Sequence, residues 1–319
     1  MDTRLTPMKL EKAQFERISQ LVYRLSGINL HSGKQELVKA RLTKRLRALG
    51  LKSFDAYMDY LKRDHPEGEL VAMIEAMTTN KTSFFREPQH FNYLCRQIVP
   101  GLRNRKIRIW SAGCSSGEEP FSIAILLNEA IQDFALWDIS ILATDLSSSM
   151  VAHACKGIYD KNHLQDVPPL LISKYFTPLE NLAIHGRDDM NKPSLRRRGP
   201  SGLAAIPHRK GRGKTPSFLT GFTSVETRPA RRYQVIEPLR CHVHFARLNL
   251  MGEWPMRGYF DVIFCRNVMI YFDKPAQEQL VNRFWKLLKP GGHLFVGHSE
   301  SLVGLPHKFR YVQPAIYVK

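Results

Sequence analysis

Apolar residues recur every three or four positions through residues 1–76, which predicts a helical N-terminal domain. One helix is predicted from the spacing of Phe15, Ile18, Leu21, Val22 and Leu25, and it ends near Gly27. A second is predicted from Lys34 to Leu49, with its apolar stripe at Val38, Leu42, Leu46 and Leu49. Two shorter helices are predicted over residues 53–61 and 69–77. The first quarter of the chain therefore reads as a small all-helical unit.

From Ile107 onward, the pattern changes to short apolar strands that alternate with helices. Strands are predicted over residues 107–110, 139–144, 259–265 and 293–297, with an edge hairpin at 309–312 and 315–318. Helices are predicted over residues 121–131 and 275–288. This alternation is typical of a parallel sheet covered by helices on both faces. The predicted fold class is α/β, with a helical domain followed by a Rossmann-like domain.

The first of these strands opens into a turn of small residues that contains Gly113 and Gly117. Ser115 and Ser116 are residue types that cap helices, and Pro120 suits the first turn of the helix that follows. Glu118 and Glu119 place negative charge where a pyrophosphate would bind in a dinucleotide fold. The turn therefore favours an adenosine that carries positive charge, although an ordinary strand-to-helix turn is the alternative.

Asp145 stands at the end of the second predicted strand, 28 residues after Gly117. A carboxylate at this position can accept hydrogen bonds from both hydroxyls of a ribose. The alternative is that Asp145 only caps a helix that begins at Ser147. The position after the glycine turn favours the ribose role.

The segment from Met77 to Phe91 combines five Thr, Asn and Ser residues with two adjacent phenylalanines and Arg86. Polar side chains flanked by aromatic rings suggest a linker folded over a ligand. An interdomain hinge that buries the two phenylalanines is the alternative.

The chain has 47 Lys and Arg against 29 Asp and Glu, a net charge of +18 over 319 residues. Residues 181–232 hold twelve of the basic residues and three of the acids, so half of the net charge lies in that stretch. A nucleic-acid-binding domain would carry its basic face on folded structure, whereas this stretch is rich in Gly, Pro and Arg and lacks periodicity. We therefore expect no nucleic-acid partner.

The helix predicted from Lys34 to Leu49 has a basic flank formed by Lys34, Arg41, Lys44 and Arg45. The helix carries six basic residues and one acid, Glu36, so few neighbours neutralise the flank. A solvated charged face is one interpretation, and a surface for an acidic partner is the other.

The five cysteines form no C-x-x-C pair, and the twelve histidines form no H-E-x-x-H pattern. We expect free thiols in a reducing cytoplasm and no metal site. No signal peptide is evident, and no apolar run approaches the roughly 18 residues of a membrane span. We also expect a monomer.

Six segments together resemble the chemotaxis receptor methyltransferases of the CheR type. They are SFFRE, AGCSSGEEPFSIA, ATDLS, the NL of ARLNL, FDVIFCRNVMIYF and LKPGGHLFVGHSESL. The resemblance implies methyl transfer from S-adenosyl-L-methionine to glutamate carboxylates of chemoreceptors. It also implies a class I methyltransferase domain over residues 92–319, with an inserted small antiparallel β-subdomain.

The same resemblance implies roles for individual residues. Asn80, Thr82 and Arg86 would close over the cofactor from the linker at residues 77–91. Glu118 or Glu119 would contact its methionine amine, and Asp145 its ribose. Asn249 and Leu250 would lie beside the adenine, and Arg266 and Asn267 beside the methionine moiety. Arg86 and Tyr271 are the candidates for acting at the transferred methyl group, and the basic flank would face the acidic receptor helices.

Residues 177–232 depart from this family pattern as a basic insert in the β-subdomain. We predict that the insert is disordered; an anion-binding or RNA-binding tail and a reading-frame error are the alternatives. Some family members dock a receptor's C-terminal peptide on the β-subdomain, so the insert leaves that docking open. Two other functions also stay open, a nucleic-acid methyltransferase and a cofactor-binding protein that has lost turnover.

Overall fold

The computed structural model describes residues 9–62, 67–102, 104–179 and 232–319. The helices are α1 Lys12–Ser26, α2 Gln35–Ala48, α3 Phe54–Lys62, α4 Glu67–Met77, α5 Pro88–Tyr93, α6 Glu118–Ala130, α7 Ser148–Lys156, α8 Pro169–Tyr175, α9 Glu237–Arg240 and α10 Lys274–Leu287. The strands are β1 Lys106–Ala112, β2 Asp138–Asp145, β3 Ile158–Asp160, β4 Phe176–Leu179, β5 Arg232–Val235, β6 Val243–Arg247, β7 Phe260–Cys265, β8 Leu288–Val296, β9 Arg310–Gln313 and β10 Ile316–Val318. None of the described helices is both long and apolar enough to cross a bilayer.

Helices α1 to α4 form the helical domain that the sequence predicts. Their core is built from the apolar stripes, with Ile18, Val22, Val38 and Leu42 fully buried. Helix α1 ends at Gly27, which adopts the left-handed conformation (φ 74°) and donates its N–H to the Tyr23 carbonyl. A side chain at Gly27 would collide with Met251 of the second domain, so the end of α1 lies directly against that domain.

The second domain is organised around a seven-stranded sheet of order β6-β2-β1-β7-β8-β10-β9. The first five strands in this order are parallel, and β10 pairs antiparallel with both β8 and β9. The predicted α/β class and terminal hairpin are therefore confirmed. Because β1 lies between β2 and β7, the turns that follow these three strands meet at one edge of the sheet.

A second, three-stranded antiparallel sheet has the order β3-β5-β4, which confirms a small β-subdomain. Leu179 of β4 pairs with Arg232 of β5. The predicted insert at 177–232 was therefore too wide at both ends, because residues 177–179 and Arg232 form this ladder. The remainder, 180–231, lies outside the described residues, as does the disorder predicted for it.

The predicted linker at 77–91 overlaps two helices, because Met77 ends α4 and Pro88 begins α5. Between them, Phe84 is buried edge-on against Tyr159 of β3 and Phe176 of β4. Phe85 is half-buried beside Phe91. The linker thus buries its aromatic rings in the second domain, and this anchors the polar residues that come before them.

Candidate active site

A cleft opens at the carboxyl ends of β1, β2 and β7. The linker closes one side, and the end of α1 closes another. The lining residues are Ser26, Ile28, Thr78, Thr79, Asn80, Lys81, Thr82, Ser83, Arg86, Gly113, Ser115, Glu119, Asp145, Leu146, Leu248, Asn249, Leu250, Arg266, Asn267, Val268, Tyr271 and Phe272. The cleft therefore brings together every predicted cofactor residue except Glu118.

Gly113 lines the cleft and packs closely on Val268. A side chain at this position would collide, because its Cβ would lie 2.4 Å from Val268. The backbone of Gly113 is left-handed (φ 94°), and its N–H and that of Cys114 both donate to the Thr144 carbonyl. The predicted caps at Ser115 and Ser116 were wrong: Gly117 (φ 97°) occupies the N-cap of α6. A glycine is needed here because the chain turns in the left-handed region.

The structure distinguishes the two glutamates of the turn. Glu119 lines the cleft, where it accepts a hydrogen bond from the Ser111 hydroxyl (2.7 Å) and pairs with Arg266 (3.0 Å). Glu118 lies outside the cleft, buried and bonded to the Ser116 hydroxyl. Adjacent helical residues point about 100° apart, so only one of the two can face the cleft. Burial raises the pKa of both carboxyl groups.

Asp145 ends β2 with its carboxylate held by two backbone donors. One oxygen accepts from the N–H of Ser115 (2.8 Å), and the other from the N–H of Ser147 (2.9 Å). The N-cap of α7 is Ser147 rather than Asp145, and the Ser147 hydroxyl accepts a hydrogen bond from the N–H of Met150. Burial raises the pKa of Asp145. Each carboxylate oxygen has a second lone pair, so the group can still accept hydrogen bonds from a ligand.

The linker contributes Asn80, Thr82 and Arg86 to the cleft. Ser115 of the glycine turn donates its hydroxyl to the Asn80 carbonyl (3.1 Å), which ties the linker to the turn. Tyr271 donates its hydroxyl to the Thr79 carbonyl (3.3 Å) from the opposite wall. Within the described parts of the chain, the Arg86 guanidinium donates only to the Lys81 carbonyl and forms no ion pair. Arg86 is thus a cation in the cleft that has no acidic partner there.

Arg266 is buried behind the cleft between two carboxylates, Glu87 (3.1 Å) and Glu119 (3.0 Å), and it lies over the Phe91 ring. The next residue, Asn267, has a left-handed backbone (φ 60°), lines the cleft and donates its side-chain amide to Glu87 (3.4 Å). Burial alone would raise the pKa of Glu87, but Arg266 more than offsets this, and the pKa of Glu87 lies below its usual value. This chain of alternating charges fixes the wall opposite Asp145.

Asn249 and Leu250 line the cleft after β6. The Asn249 amide is already engaged, because it donates to the Leu25 carbonyl (2.7 Å) and accepts from the N–H of Met251 (3.0 Å). Its side chain therefore joins the cleft to α1. Contact with a ligand at this corner falls mainly to the backbone and to the apolar Leu250.

Sequence reasoning missed Glu87, Glu300 and the contribution of the helical domain through Ser26 and Ile28. Glu87 and Glu300 both lie inside the quoted segments SFFRE and LKPGGHLFVGHSESL, so the segments themselves were the available signal. The apolar periodicity of α1 gives no sign that its end reaches the cleft.

The basic flank of α2 does not present four free cations. Arg41 donates to the carbonyls of Met77 (2.7 Å) and Thr78 (2.9 Å) and to the Thr79 hydroxyl. Arg45 forms a bidentate ion pair with the buried Glu69. Lys34 and Lys44 remain exposed. Of the four residues predicted to dock a receptor, the two lysines are exposed, whereas intramolecular acceptors engage both arginines.

Glu87, His90 and His298 lie close enough together for one atom of each to reach a common ion. The Glu87 carboxylate is already neutralised by Arg266, so a second cation would compete with a buried guanidinium. We assign this cluster no metal role.

A parallel sheet that ends in an antiparallel hairpin, with a glycine turn after β1, an acid at the end of β2 and a cleft across their ends, is the architecture of the class I S-adenosylmethionine-dependent methyltransferases. Sequence comparison identifies the family within this class. The family described as CheR methyltransferase, SAM binding domain, matches residues 80–188 and 219–318, and the all-alpha domain of the same family matches residues 13–78. The chain belongs to the CheR methyltransferase family.

Similar proteins extend over nearly the whole chain. A chemotaxis protein methyltransferase of Borreliella burgdorferi is 35% identical over 98% of this chain and 96% of its own length. Chemotaxis protein methyltransferase 2 of Pseudomonas aeruginosa is 37% identical over 96% of this chain and 92% of its own. The chemotaxis protein methyltransferase of Escherichia coli K12 is 35% identical over 97% and 92%. These matches do not favour a nucleic-acid methyltransferase or a protein without turnover.

The chain is thus a protein methyltransferase of chemotaxis, and its cofactor is S-adenosyl-L-methionine. The residues of the cleft fit this cofactor chemically. Two carboxylates, Glu119 and Asp145, suit an amine and a ribose, and Leu248 and Leu250 offer apolar contact to an adenine.

Proposed function

We propose that this enzyme methylates glutamate side chains on the cytoplasmic methylation helices of chemoreceptors. One observation carries the proposal: the cleft holds a cation, Arg86, that forms no ion pair with the described acidic residues, and its described lining offers no His, Cys or uncommitted carboxylate as a general base. The lining contains no His or Cys among the described residues. Its two carboxylates are committed, Glu119 to Arg266 and Asp145 to two backbone N–H groups.

The absence of a His, Cys or uncommitted carboxylate from the described cleft favours an acceptor that needs no general base. An amine or hydroxyl acceptor has to lose a proton, whereas a glutamate with a pKa of about 4.3 is already ionised at neutral pH. The cofactor supplies a methyl group on a sulfonium, which is an activated leaving group. What remains is alignment, and holding two reactants in position can lower a barrier by roughly 7–11 kcal/mol.

We assign alignment of the acceptor to two residues. Arg86 can bind the acceptor carboxylate through its guanidinium, which offers a planar, two-pronged donor. Tyr271 forms the other wall, and the hydrogen bond from its hydroxyl to the Thr79 carbonyl fixes the ring. Both residues are tied to the linker, so the acceptor site depends on the linker being in place.

The remaining cleft residues would bind the cofactor. Asp145 would accept the ribose hydroxyls, and Leu250 with the backbone of Asn249 would lie against the adenine. Glu119, rather than Glu118, would face the methionine amine, since only Glu119 lines the cleft. Arg266 and Asn267 would flank the methionine moiety, and Asn80 and Thr82 would cover it from the linker.

We propose Lys34, at the N-cap of α2, and Lys44, within α2, for receptor docking. Methylation helices of chemoreceptors are acidic, and exposed lysines raise the rate of encounter with such a partner. Arg41 contacts the linker at Met77 and Thr78, so the same helix also supports the segment that covers the cofactor. We place the enzyme in the cytoplasm, where these receptor helices lie, and propose that it acts as a monomer.

The test is transfer of tritiated methyl from S-adenosylmethionine to a receptor cytoplasmic fragment, followed by treatment with alkali. A carboxyl methyl ester hydrolyses in base and releases volatile tritiated methanol, whereas methylated amines and nucleic-acid bases retain the label. We expect the label on the receptor and its release by alkali.

Two controls sharpen the result. A receptor fragment whose methylation-site glutamates are replaced by alanine should take up no label, and DNA or RNA in place of the receptor should take up none either. Alkali-stable label, or label on nucleic acid, would overturn the proposal even though S-adenosylhomocysteine still bound.

A further inference from the structure

The loops that follow β7 and β8 are joined by one buried carboxylate, Glu300. It accepts hydrogen bonds from the backbone N–H groups of Asn267 (2.8 Å), Ile270 (3.2 Å) and Gly297. Asn267 and Ile270 belong to the loop after β7, and Gly297 follows β8 directly. The side chain thus bridges two loops that lie side by side because their strands are neighbours in the sheet.

The contact between the two loops leaves no room for adjustment. A Cβ on Gly297 would lie 2.4 Å from the Asn267 amide nitrogen and 2.8 Å from its backbone nitrogen. Asn267 itself holds a left-handed backbone (φ 60°), which Asn adopts more readily than most residues but which remains uncommon outside glycine. The loop conformation that places Asn267 in the wall of the cleft is supported by Glu300 and by close packing on Gly297.

The buried charge of Glu300 also indicates that its role is to hold these loops. The side chain is 8% exposed, and no cation pairs with it in the parts of the chain that the structure describes. Burial raises its pKa, and backbone hydrogen bonds act in the opposite direction. A buried carboxylate without a cationic partner is costly. Glu300 offsets this cost by accepting from three backbone N–H groups, which an apolar residue would leave without an acceptor.

We infer that Glu300 is a positioning residue for the methionine side of the cofactor site: its carboxylate fixes Asn267 and the start of the turn that carries Tyr271. The inference rests on the proposed placement of the methionine moiety beside Arg266 and Asn267. The other half of the cleft, around Asp145 and Leu250, is built on the loops after β2 and β6 and makes no hydrogen bond to Glu300.

This division of the cleft gives the experiment its readout. Glu300→Gln keeps the size of the side chain but presents an amide N–H₂ to backbone N–H groups, so one donor is left without an acceptor. Titration calorimetry would measure S-adenosylhomocysteine, which fills both halves of the cleft, and adenosine, which fills only the half around Asp145. We expect S-adenosylhomocysteine affinity to fall at least tenfold and adenosine affinity to change less than twofold.

Turnover supplies a second readout. With saturating cofactor and receptor fragment, kcat should fall more than tenfold in Glu300→Gln, because Tyr271 belongs to the loop that is released. The matched control is Glu237→Gln, the same chemical change on an exposed side chain that pairs with Arg240 (3.0 Å). This control should match wild type in both affinities and in kcat.

If Glu300→Gln does not fold, Gly297→Ala tests the same contact from the other loop and should give the same separation of the two affinities. Equal losses for adenosine and S-adenosylhomocysteine would overturn the inference and make the carboxylate a general stabiliser of the domain. Unchanged affinity for both ligands would overturn it as well. Failure of the wild type to methylate receptor would refute only the proposed acceptor, since the comparison of the two ligands does not involve receptor.

Discussion

Replacing Arg45 with methionine tests whether the basic helix α2 serves a partner or the fold. Arg45 donates through two nitrogens to Glu69, and Tyr57 donates its hydroxyl to the same carboxylate (2.8 Å). The Glu69 side chain is 5% exposed and that of Arg45 is 32% exposed. Arg45→Met keeps the apolar stem of the side chain and removes the charge, so Glu69 is left with one neutral donor.

Loss of one partner from a buried ion pair destabilises a protein by about 3–5 kcal/mol. Water can reach Glu69 through the space that the guanidinium leaves, so we expect about 2–3 kcal/mol, near or below the lower end of that range. With a urea m-value of about 2 kcal/mol/M, the unfolding midpoint of the helical domain falls by roughly 1 M or more.

The assay is urea unfolding of the full chain, followed by circular dichroism. The matched control is Lys44→Met, the neighbouring and exposed position on the same helix, which should stay within about 0.5 kcal/mol of wild type. If the two variants unfold at the same urea concentration, the ion pair contributes nothing. Arg45 would then be as available to a receptor as the exposed lysines are.

Four further outcomes follow from the site. Asp145→Ala should weaken S-adenosylhomocysteine binding by about 1.5–3 kcal/mol, the range for a hydrogen bond to a charged group, in calorimetry; unchanged affinity would remove it from the ribose site. Arg86→Ala should lower kcat far more than cofactor affinity, since it acts on the acceptor; equal losses would make it a binding residue. Lys34→Glu combined with Lys44→Glu should slow receptor methylation at low salt, and its rate should approach that of wild type at salt concentrations that screen exposed charges, with the urea midpoint of unfolding unchanged. A methylation rate that does not depend on salt would refute docking through these lysines. Burial lowers the pKa of His90 to about 3, so protons bind the unfolded chain first and stability should fall by about 2 kcal/mol between pH 7 and pH 5; His90→Phe should remove that part of the pH dependence in urea unfolding.

Much of the fold was readable from apolar spacing alone. The helices of the first domain, strands β1, β2 and β7 and the terminal hairpin all lie close to their predicted positions, because each buries a regular apolar face. Strand β8 was predicted over residues 293–297 but begins earlier, at Leu288, because its first residues include a proline and two glycines that give no strand pattern. Strand β6 was not predicted from spacing. It is the edge strand of the sheet, and only Val243 among its five residues is buried, so it carries little apolar pattern.

The site divides along similar lines. Gly113 and Asp145 could be identified because a glycine turn and an acid at a strand end have a direct chemical purpose. The choice between Glu118 and Glu119 depended on the rotation of one helix, which no sequence pattern records. The intramolecular role of Arg41 could not be predicted because its acceptors, the carbonyls of Met77 and Thr78, are backbone groups, which the sequence of side chains does not reveal.

The join between α1 and the second domain bears on how such enzymes can be recombined. Asn249 donates to the Leu25 carbonyl, the N–H of Asn29 donates to the Tyr271 carbonyl (2.8 Å), and Gly27 leaves no space beside Met251. The helical domain therefore cannot be exchanged without changing the cleft, because the second domain does not form the cleft by itself. A chimera that borrows it from a relative inherits part of the cofactor site, so receptor preference and cofactor affinity would be altered together unless residues 25–29 are retained with their partners.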